Sequence, residues 1–317
     1  MEKKCVGIDV GGTSVKLGMF EMDGTLLEKW EIPTRKEENG RHILSDAASS
    51  IREKISEKGL SISDLAGAGL GLPGPVMPDG SVEVCVNLGW KNMNPQKELS
   101  GLLDGLTVKT GNDANVAALG EMWQGGGKGY SDLVMVTLGT GLGSGFVAGG
   151  RMIYGHDGMA GELGHVVVEP GGRQCGCGRR GCLETYVSAT GIKRTVFELM
   201  ARETVPSVLR DVPYDKFDAR IITEAAQKGD SLALEVFRCT AERLGRALAN
   251  AVAITSPEAV FFFGGLAQAG ELLLEPTRRY LEENLLPVYR GNVKVLPSGI
   301  PAQNAAILGA SALIWNE

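Results

Sequence analysis

Four side chains between residues 161 and 184 have the types and spacing to hold a metal. Cys175, Cys177 and Cys182 form a C-x-C-x4-C run, and His165 stands ten residues ahead of the first cysteine. Three thiolates and one imidazole complete a tetrahedral zinc set of structural type, with no coordination position left open. The surrounding segment, GELGHVVVEPGGRQCGCGRRGCLE, has no helical or strand periodicity. A loop of that composition buries too little apolar surface to order itself and needs a clip. The alternative is ordinary reduced thiols near an unrelated histidine. Glu162 and Glu184 flank the set. A closed zinc performs no chemistry, so the reacting groups must lie elsewhere.

Asp113 lies in Asn112-Asp113-Ala114-Asn115, after a strand-like stretch and at a helix start. Either Asn112 or Asp113 can serve as a helix N-cap. Asp113 can equally be a general base that takes a hydroxyl proton as the oxygen attacks phosphorus, since phosphoryl transfer needs one carboxylate there beside positioning and charge neutralisation. The residues alone leave these two readings level. Asp9 ends a strand beside a glycine turn. It reads as a turn former or as a carboxylate reaching Mg²⁺ through water. Three glycine turns follow strands, at Gly11-Gly12-Thr13, Gly139-Thr140-Gly141 and Gly264-Gly265. Such turns expose consecutive N–H groups and form anion-binding concavities, to which Thr13 and Thr140 add hydroxyls. Their placement suggests a nucleotide clasped between two domains. The P-loop pattern G-x-x-x-x-G-K-[ST] is absent.

The elements that carry these groups follow from periodicity. Residues 4–10 alternate, with Val6, Ile8 and Val10 on one face, and residues 15–20 return as a second strand. A strand after the first glycines excludes a Rossmann fingerprint, which requires a helix there. A third strand falls around Leu26 to Ile32. Leu44, Ala47, Ala48, Ile51 and Ile55 recur at helical spacing, and a buried strand runs from Ala66 to Leu72 into Pro73-Gly74-Pro75. Short strands are expected near Val82–Val86 and Leu106–Thr110, and a helix from Asn112 to Trp123. The stretch TLGTGLGSGFVAGG repeats the pattern of DVGGTSVKLGMF, which suggests two domains of similar architecture. Later helices are expected at Ile192–Arg202, Ala219–Lys228, Ser231–Ile254, Gly270–Leu285 and Gln303–Trp315, with strands at Val260–Phe263 and Val293–Leu296. In the longest helix the expected apolar stripe is Leu234, Phe237, Ala241, Leu244, Leu248 and Val252. The expected domains are 1–124 and 125–302, with a hinge at Gly125–Gly127 and the helix in 303–317 packing back on the first.

At 317 residues the chain is long for one core. Its 43% hydrophobic and 22% charged content is that of a soluble globular protein. A net charge of -6 without a basic cluster argues against a nucleic-acid surface. No apolar run reaches the length of a membrane span, and the N-terminus enters a strand without a signal-peptide core. Cys5, Cys85 and Cys239 sit among apolar neighbours and are expected to be buried thiols, which fits a reducing cytoplasm.

The ordered motifs carry a resemblance. Asp9-x-Gly11-Gly12-Thr13, Gly71-x-Pro73-Gly74-Pro75, Asn112-Asp113-x-Asn115, Gly139-Thr140-Gly141-x-Gly143, Gly161-Glu162-x-Gly164-His165 and Cys175-x-Cys177-Gly178-x-x-Gly181-Cys182-x-Glu184 occur in that order. The chain resembles the ROK family of bacterial sugar kinases and related repressors over nearly its whole length. Within the family it is most similar to the ATP-dependent kinases of glucose, particularly in CLETYVSATGI. The resemblance implies an α/β actin-like ATPase (ribonuclease H-like) fold, two α/β domains with a cleft between them. It implies Asp113 as catalytic base. Asn112, Glu162, His165 and Glu184 match residues that hydrogen-bond the sugar hydroxyls, and Gly74 borders the sugar. Asp9, Gly11, Gly12, Thr13, Gly139, Thr140, Gly141, Gly264 and Gly265 match nucleotide contacts. His165, Cys175, Cys177 and Cys182 match the ligands of a structural Zn²⁺.

The activity implied is transfer from ATP, with Mg²⁺ expected from the reaction type, to the 6-hydroxyl of a hexose, glucose first. Domain closure would exclude water as a competing acceptor. Kinases of N-acetylglucosamine, N-acetylmannosamine or another hexose are the alternative. Family repressors carry an N-terminal helix-turn-helix, for which a hairpin starting at residue 4 leaves no room. A nucleotide-binding scaffold without sugar chemistry would not need the set of Asn112, Asp113, Glu162 and His165. The family also implies a homodimer or homotetramer working in cytoplasmic carbohydrate metabolism, with no nucleic-acid or membrane partner.

Overall fold

A computed structural model describes residues 2–301 and 304–315. The chain forms two compact units. One holds the residues up to Lys128, Met152–Ala160 and the chain from Gly299; the other holds Gly129–Arg151 and Gly161–Ser298.

The first unit opens with the hairpin β1 (Lys4–Val10) and β2 (Ser14–Glu21), followed by β3 (Leu26–Pro33), the single turn α1 (Glu37–Gly40) and α2 (Ile43–Glu57). Then come β4 (Leu65–Leu72), the two-stranded ribbon of β5 (Val82–Cys85) and β6 (Trp90–Met93), α3 (Pro95–Leu102), β7 (Val108–Asn112) and α4 (Asp113–Gln124). The sheet order is β3-β2-β1-β4-β7. β1 runs antiparallel to β2 and parallel to β4, and β4 parallel to β7. In α2, Leu44, Ala47, Ala48, Ile51 and Ile55 are all buried, the apolar stripe that a half-buried helix requires.

The strand expected over Leu106–Thr110 starts later, at Val108, because the Leu106 N–H still closes a turn on the Leu103 carbonyl at 3.0 Å. Helix α3 was not anticipated from periodicity. Its start is nonetheless written in Asn94-Pro95: Asn94 caps by accepting from the Lys97 N–H, and Pro95 sits where a missing N–H is harmless.

The second unit contains β8 (Leu133–Leu138), β9 (Leu142–Ala148) and the short β10 (Arg151–Met152). Helices α5 (Ala189–Arg202), α6 (Ala219–Gln227) and α7 (Ser231–Thr255) follow, then β11 (Ala259–Phe263), α8 (Glu271–Asn284) and β12 (Lys294–Pro297). The sheet order is β10-β9-β8-β11-β12. β8 is antiparallel to β9 and parallel to β11, which is parallel to β12. This repeats the first sheet strand for strand. In α7 the expected stripe holds except at its start. Leu234 is 42% exposed, and Leu232, Ala233 and Val236 face the core instead.

The last helix, α9 (Ala305–Trp315), belongs to the first unit and lies on its sheet. A Cβ on Gly7 of β1 would strike the Ile307 carbonyl, and one on Gly69 of β4 the Ala310 carbonyl. Absent side chains in two adjacent strands therefore let the helix seat directly on the backbone. This is why β1 is buried on both faces rather than along Val6, Ile8 and Val10 alone. Gln303, where that helix is expected to begin, and Asn316 and Glu317, at the end of the 303–317 span, lie outside the described residues. Cys5 and Cys85 are buried as expected, but Cys239 is only half-buried.

Candidate active site and metal centre

In the second unit the ligand atoms of His165, Cys175, Cys177 and Cys182 all lie within 4.8 Å of one another. Cys177 Sγ is 3.6 Å from Cys182 Sγ, and Cys175 Sγ is 3.7 Å from His165 Nδ1. Tetrahedral zinc with Zn–S bonds of about 2.3 Å places its ligand sulfurs roughly 3.8 Å apart, so this donor set fits that ion. Burial pushes the Cys175 thiol up to about 12 and raises that of Cys182 as well, whereas the Arg179 backbone N–H draws Cys177 down to about 6.

The loop takes its shape from glycines and one buried cation. Gly181 has φ 82°, and a Cβ there would strike the Glu169 carbonyl, so no other residue fits. Arg173 is 8% exposed and donates all five of its N–H groups. Nε and Nη2 go to Glu198 at 2.8 and 2.7 Å, Nη1 to the carbonyls of Thr185 (2.6 Å) and Gly191 (3.0 Å), and Nη2 also to Thr195 Oγ1 at 2.9 Å. Its guanidinium stacks 4.3 Å from the centre of the Tyr186 ring. Arg173 thereby fixes the short 3-10 turn Leu183–Thr185 that presents Glu184. In the same way, Ser144 on β9 holds the Glu162 turn: its hydroxyl donates to the Gly161 carbonyl and accepts from the Leu163 N–H at 3.1 Å.

Glu162, His165 and Glu184 converge beside the metal set. His165 Nε2 lies 3.9 Å from Glu162 Oε2, and Nδ1 lies 3.8 Å from Glu184 Oε1. Because Nδ1 faces Cys175, the Nε2 edge is the one left for a second partner. Glu184 Oε1 also accepts from the Cys175 thiol at 3.1 Å, and its Oε2 lies within 3.5 Å of the Leu142 N–H. A Cβ on Gly141 would come within 2.7 Å of that Oε2. The glycine turn Gly139–Gly141 and Glu184 thus share one wall. Gly264 (φ 103°) packs on the Leu138 carbonyl at the end of β8, which brings the Gly264-Gly265 turn beside the same glycines.

In the first unit, β7 ends at Asn112 and α4 begins at Asp113. Asn112 is the cap. Its Oδ1 accepts from the N–H groups of Ala114 (2.9 Å) and Asn115 (3.3 Å), while its Nδ2 donates to the Gly74 carbonyl at 3.1 Å. Asp113 adds a second acceptor at the same helix end. Its carboxylate is exposed at the first helical position, accepting from the Ala114 N–H at 2.8 Å. Asp9 ends β1, opposite Lys16. Burial raises its pKa, and the ammonium of Lys16 offsets this in part.

Neither Arg173 nor Ser144 was singled out by the sequence reading, nor were Thr34, Lys36 and Thr190, which adjoin the glycine turns. An arginine inside a cysteine loop and a threonine after a strand are ordinary residues by type. Only their partners distinguish them.

Two like-ordered five-stranded sheets, each with a glycine turn between the first strands, define the actin-like (ribonuclease H-like) ATPase fold. A family model described as the ROK family matches residues 5–317. A glucokinase of Halalkalibacterium halodurans is 42% identical over 287 residues, 89% of this chain and 86% of that one. A glucokinase of Thermotoga maritima is 37% identical over 318 residues, 98% of this chain and 97% of that one. A ROK family glucokinase from Streptomyces griseus in complex with glucose and AMPPNP aligns with a TM-score of 0.78 at 30% identity, covering 98% of each chain. The chain belongs to the ROK family.

Proposed function

We propose that this chain is an ATP-dependent glucose kinase that moves the γ-phosphoryl group of ATP to the 6-hydroxyl of glucose, releasing ADP and glucose 6-phosphate. Asp113 is the general base. It accepts the proton of the attacking hydroxyl while the oxygen forms its bond to phosphorus and the bond to the β-phosphate oxygen breaks. Asn112, Glu162, His165 and Glu184 hydrogen-bond the sugar hydroxyls, with Gly74 at their border. The observation that carries this reading is the division of labour in Asn112-Asp113: the asparagine caps the helix and ties to the Gly74 carbonyl, while the aspartate keeps an exposed carboxylate at the first helical position. Glucose and ATP are favoured because the Halalkalibacterium and Thermotoga relatives are glucokinases and the Streptomyces structure holds glucose with AMPPNP.

Sugar hydroxyls donate and accept in fixed directions. An epimer leaves a buried group unpaired, at about 1–3 kcal/mol, so carboxylates held as rigidly as Glu184 discriminate between hexoses. His165, Cys175, Cys177 and Cys182 would hold a structural Zn²⁺, which would supply rigidity, and His165 would keep its Nε2 edge for the sugar. The turns at Gly11–Thr13, Gly139–Gly141 and Gly264-Gly265 contact the nucleotide, and Asp9 would help to hold the Mg²⁺ that neutralises its phosphates.

We take the two compact units to be the domains expected at 1–124 with 303–317 and at 125–302, except that 125–128 with the expected hinge, Met152–Ala160 and the chain from Gly299 group with the first. A homodimer or homotetramer in the cytoplasm, without a nucleic-acid partner, completes the proposal. The acidic balance and the free cysteines support it, and among the described residues no helix is long and apolar enough to cross a membrane. The test is coupled ADP release over a panel of hexoses and N-acetylhexosamines. Glucose is expected to give the highest kcat/KM. Turnover with none of them overturns the kinase assignment, and preference for an N-acetylhexosamine replaces glucose as substrate.

A further inference from the structure

The two glycine turns are strapped down in the same way. In the first unit Thr34, just past β3, donates its hydroxyl to the Gly11 carbonyl at 2.7 Å and its N–H to the Thr13 carbonyl at 3.0 Å. In the second, the Ala189 N–H donates to the Gly139 carbonyl at 2.9 Å and the Thr190 hydroxyl to the Thr140 carbonyl at 2.8 Å. One threonine hydroxyl and one backbone N–H thus occupy two carbonyls of each turn. The N–H groups of Gly12 and Thr13 find no acceptor among the described residues. Tying the carbonyls on one side holds the donors on the other, as an anion cradle requires.

The turns differ in one respect. Gly12 does not have the positive φ that demands glycine, so its missing side chain is a matter of space. At the edge of that space is the Lys36 ammonium, with Nζ 3.2 Å from where a Gly12 Cβ would stand. Lys36 is exposed and has no ion-pair or hydrogen-bond partner through its side chain among the described residues. The backbone that carries it is positioned by Thr34, two residues earlier. Among the described residues no counterpart cation comes within 4 Å of where a Cβ on Gly139 or Gly141 would stand; there a Cβ would meet open space or Glu184.

We propose that Lys36 is a further binding residue of the nucleotide site, a cation held over the Gly12 turn to neutralise the terminal phosphates of the triphosphate. A compact ammonium on a flexible stem suits a phosphate as a point charge. This inference rests on the ATP-dependent reading above, and the test separates the two. In the full-length protein, Lys36→Gln is expected to raise the KM for ATP by about tenfold or more, the effect of losing one charge-assisted contact. The KM for glucose should stay unchanged, and Lys36→Arg should recover most of the loss. Calorimetric titration should show weaker binding of ATP but unaltered binding of adenosine in Lys36→Gln. An unchanged KM for ATP, or adenosine affinity falling as far as that of ATP, overturns the role of Lys36 and leaves the kinase reading standing. If the wild-type protein binds no ATP, both fall together.

Discussion

The chemistry proposed for this chain rests on which of two neighbouring residues does the structural task. Asn112 caps α4, so replacing Asp113 by the isosteric amide should leave the fold intact. We expect Asp113→Asn to lower kcat by about 10²–10⁴-fold, the range of a lost general base. Glucose binding should persist, as checked by single-turnover ADP formation and by calorimetry with glucose; full activity would remove Asp113 as the base. Asp9 makes a prediction of opposite kind. Burial raises its pKa above the ordinary value of 3.8, so between that value and its folded-state pKa the native protein holds the extra proton. Stability therefore falls as pH rises through that window, and the full penalty stands above it. In the ligand-free protein Asp9→Asn should melt at a higher temperature than wild type near pH 7, with the gap narrowing as pH drops toward 3.8. A lower melting temperature across that range would contradict this. Retaining an ionisable group where it destabilises is what a functional carboxylate does.

At the scale of elements, the cysteine loop and the turns proposed to face the sugar are braced twice, once by the cluster of cysteine and histidine donors and once by Arg173. Because the Arg173 network is independent of metal, Cys177→Ala should stay folded while losing zinc, as read by elemental analysis. Its KM for glucose should rise roughly tenfold, a typical effect of disturbing the support of a site, and by more than the KM for ATP. An unchanged glucose KM in demonstrably zinc-free protein would reduce the loop to a remote staple. The clustering of His165 with the three cysteines was legible in sequence because cysteines separated by glycine have few other uses. The paired sheets were legible because each half repeats a hydrophobic run, a glycine turn and a second run. Shorter features were not. Helix α3 is too brief for periodicity, and Leu234 fits the arithmetic of the α7 stripe yet points outward. Thr34 and Thr190 act through backbone carbonyls, and an acceptor that every residue possesses leaves no mark in the sequence.

Across the whole molecule, the backbone leaves the first unit after Lys128, revisits it over Met152–Ala160 and comes back to it again at Gly299. Glu121, fully buried in α4, receives both ends: its Oε1 accepts from the Gly126 N–H and the Gly299 N–H, each at 2.7 Å. Glu121→Ala would remove the shared acceptor of two N–H groups in exposed glycines, at about 0.5–1.5 kcal/mol each, and should lower Tm by on the order of 5 °C in calorimetric scans. A loss under a degree would show that other groups hold those segments. The same connectivity governs the order in which the protein can be completed. The face of the first sheet that bares Gly7 and Gly69 is closed by α9, which is synthesised only after the whole second unit. A nascent chain therefore exposes a greasy, half-finished sheet throughout translation of the entire second unit, and chains truncated before Ala305 are substrates for chaperones and proteases rather than smaller working proteins.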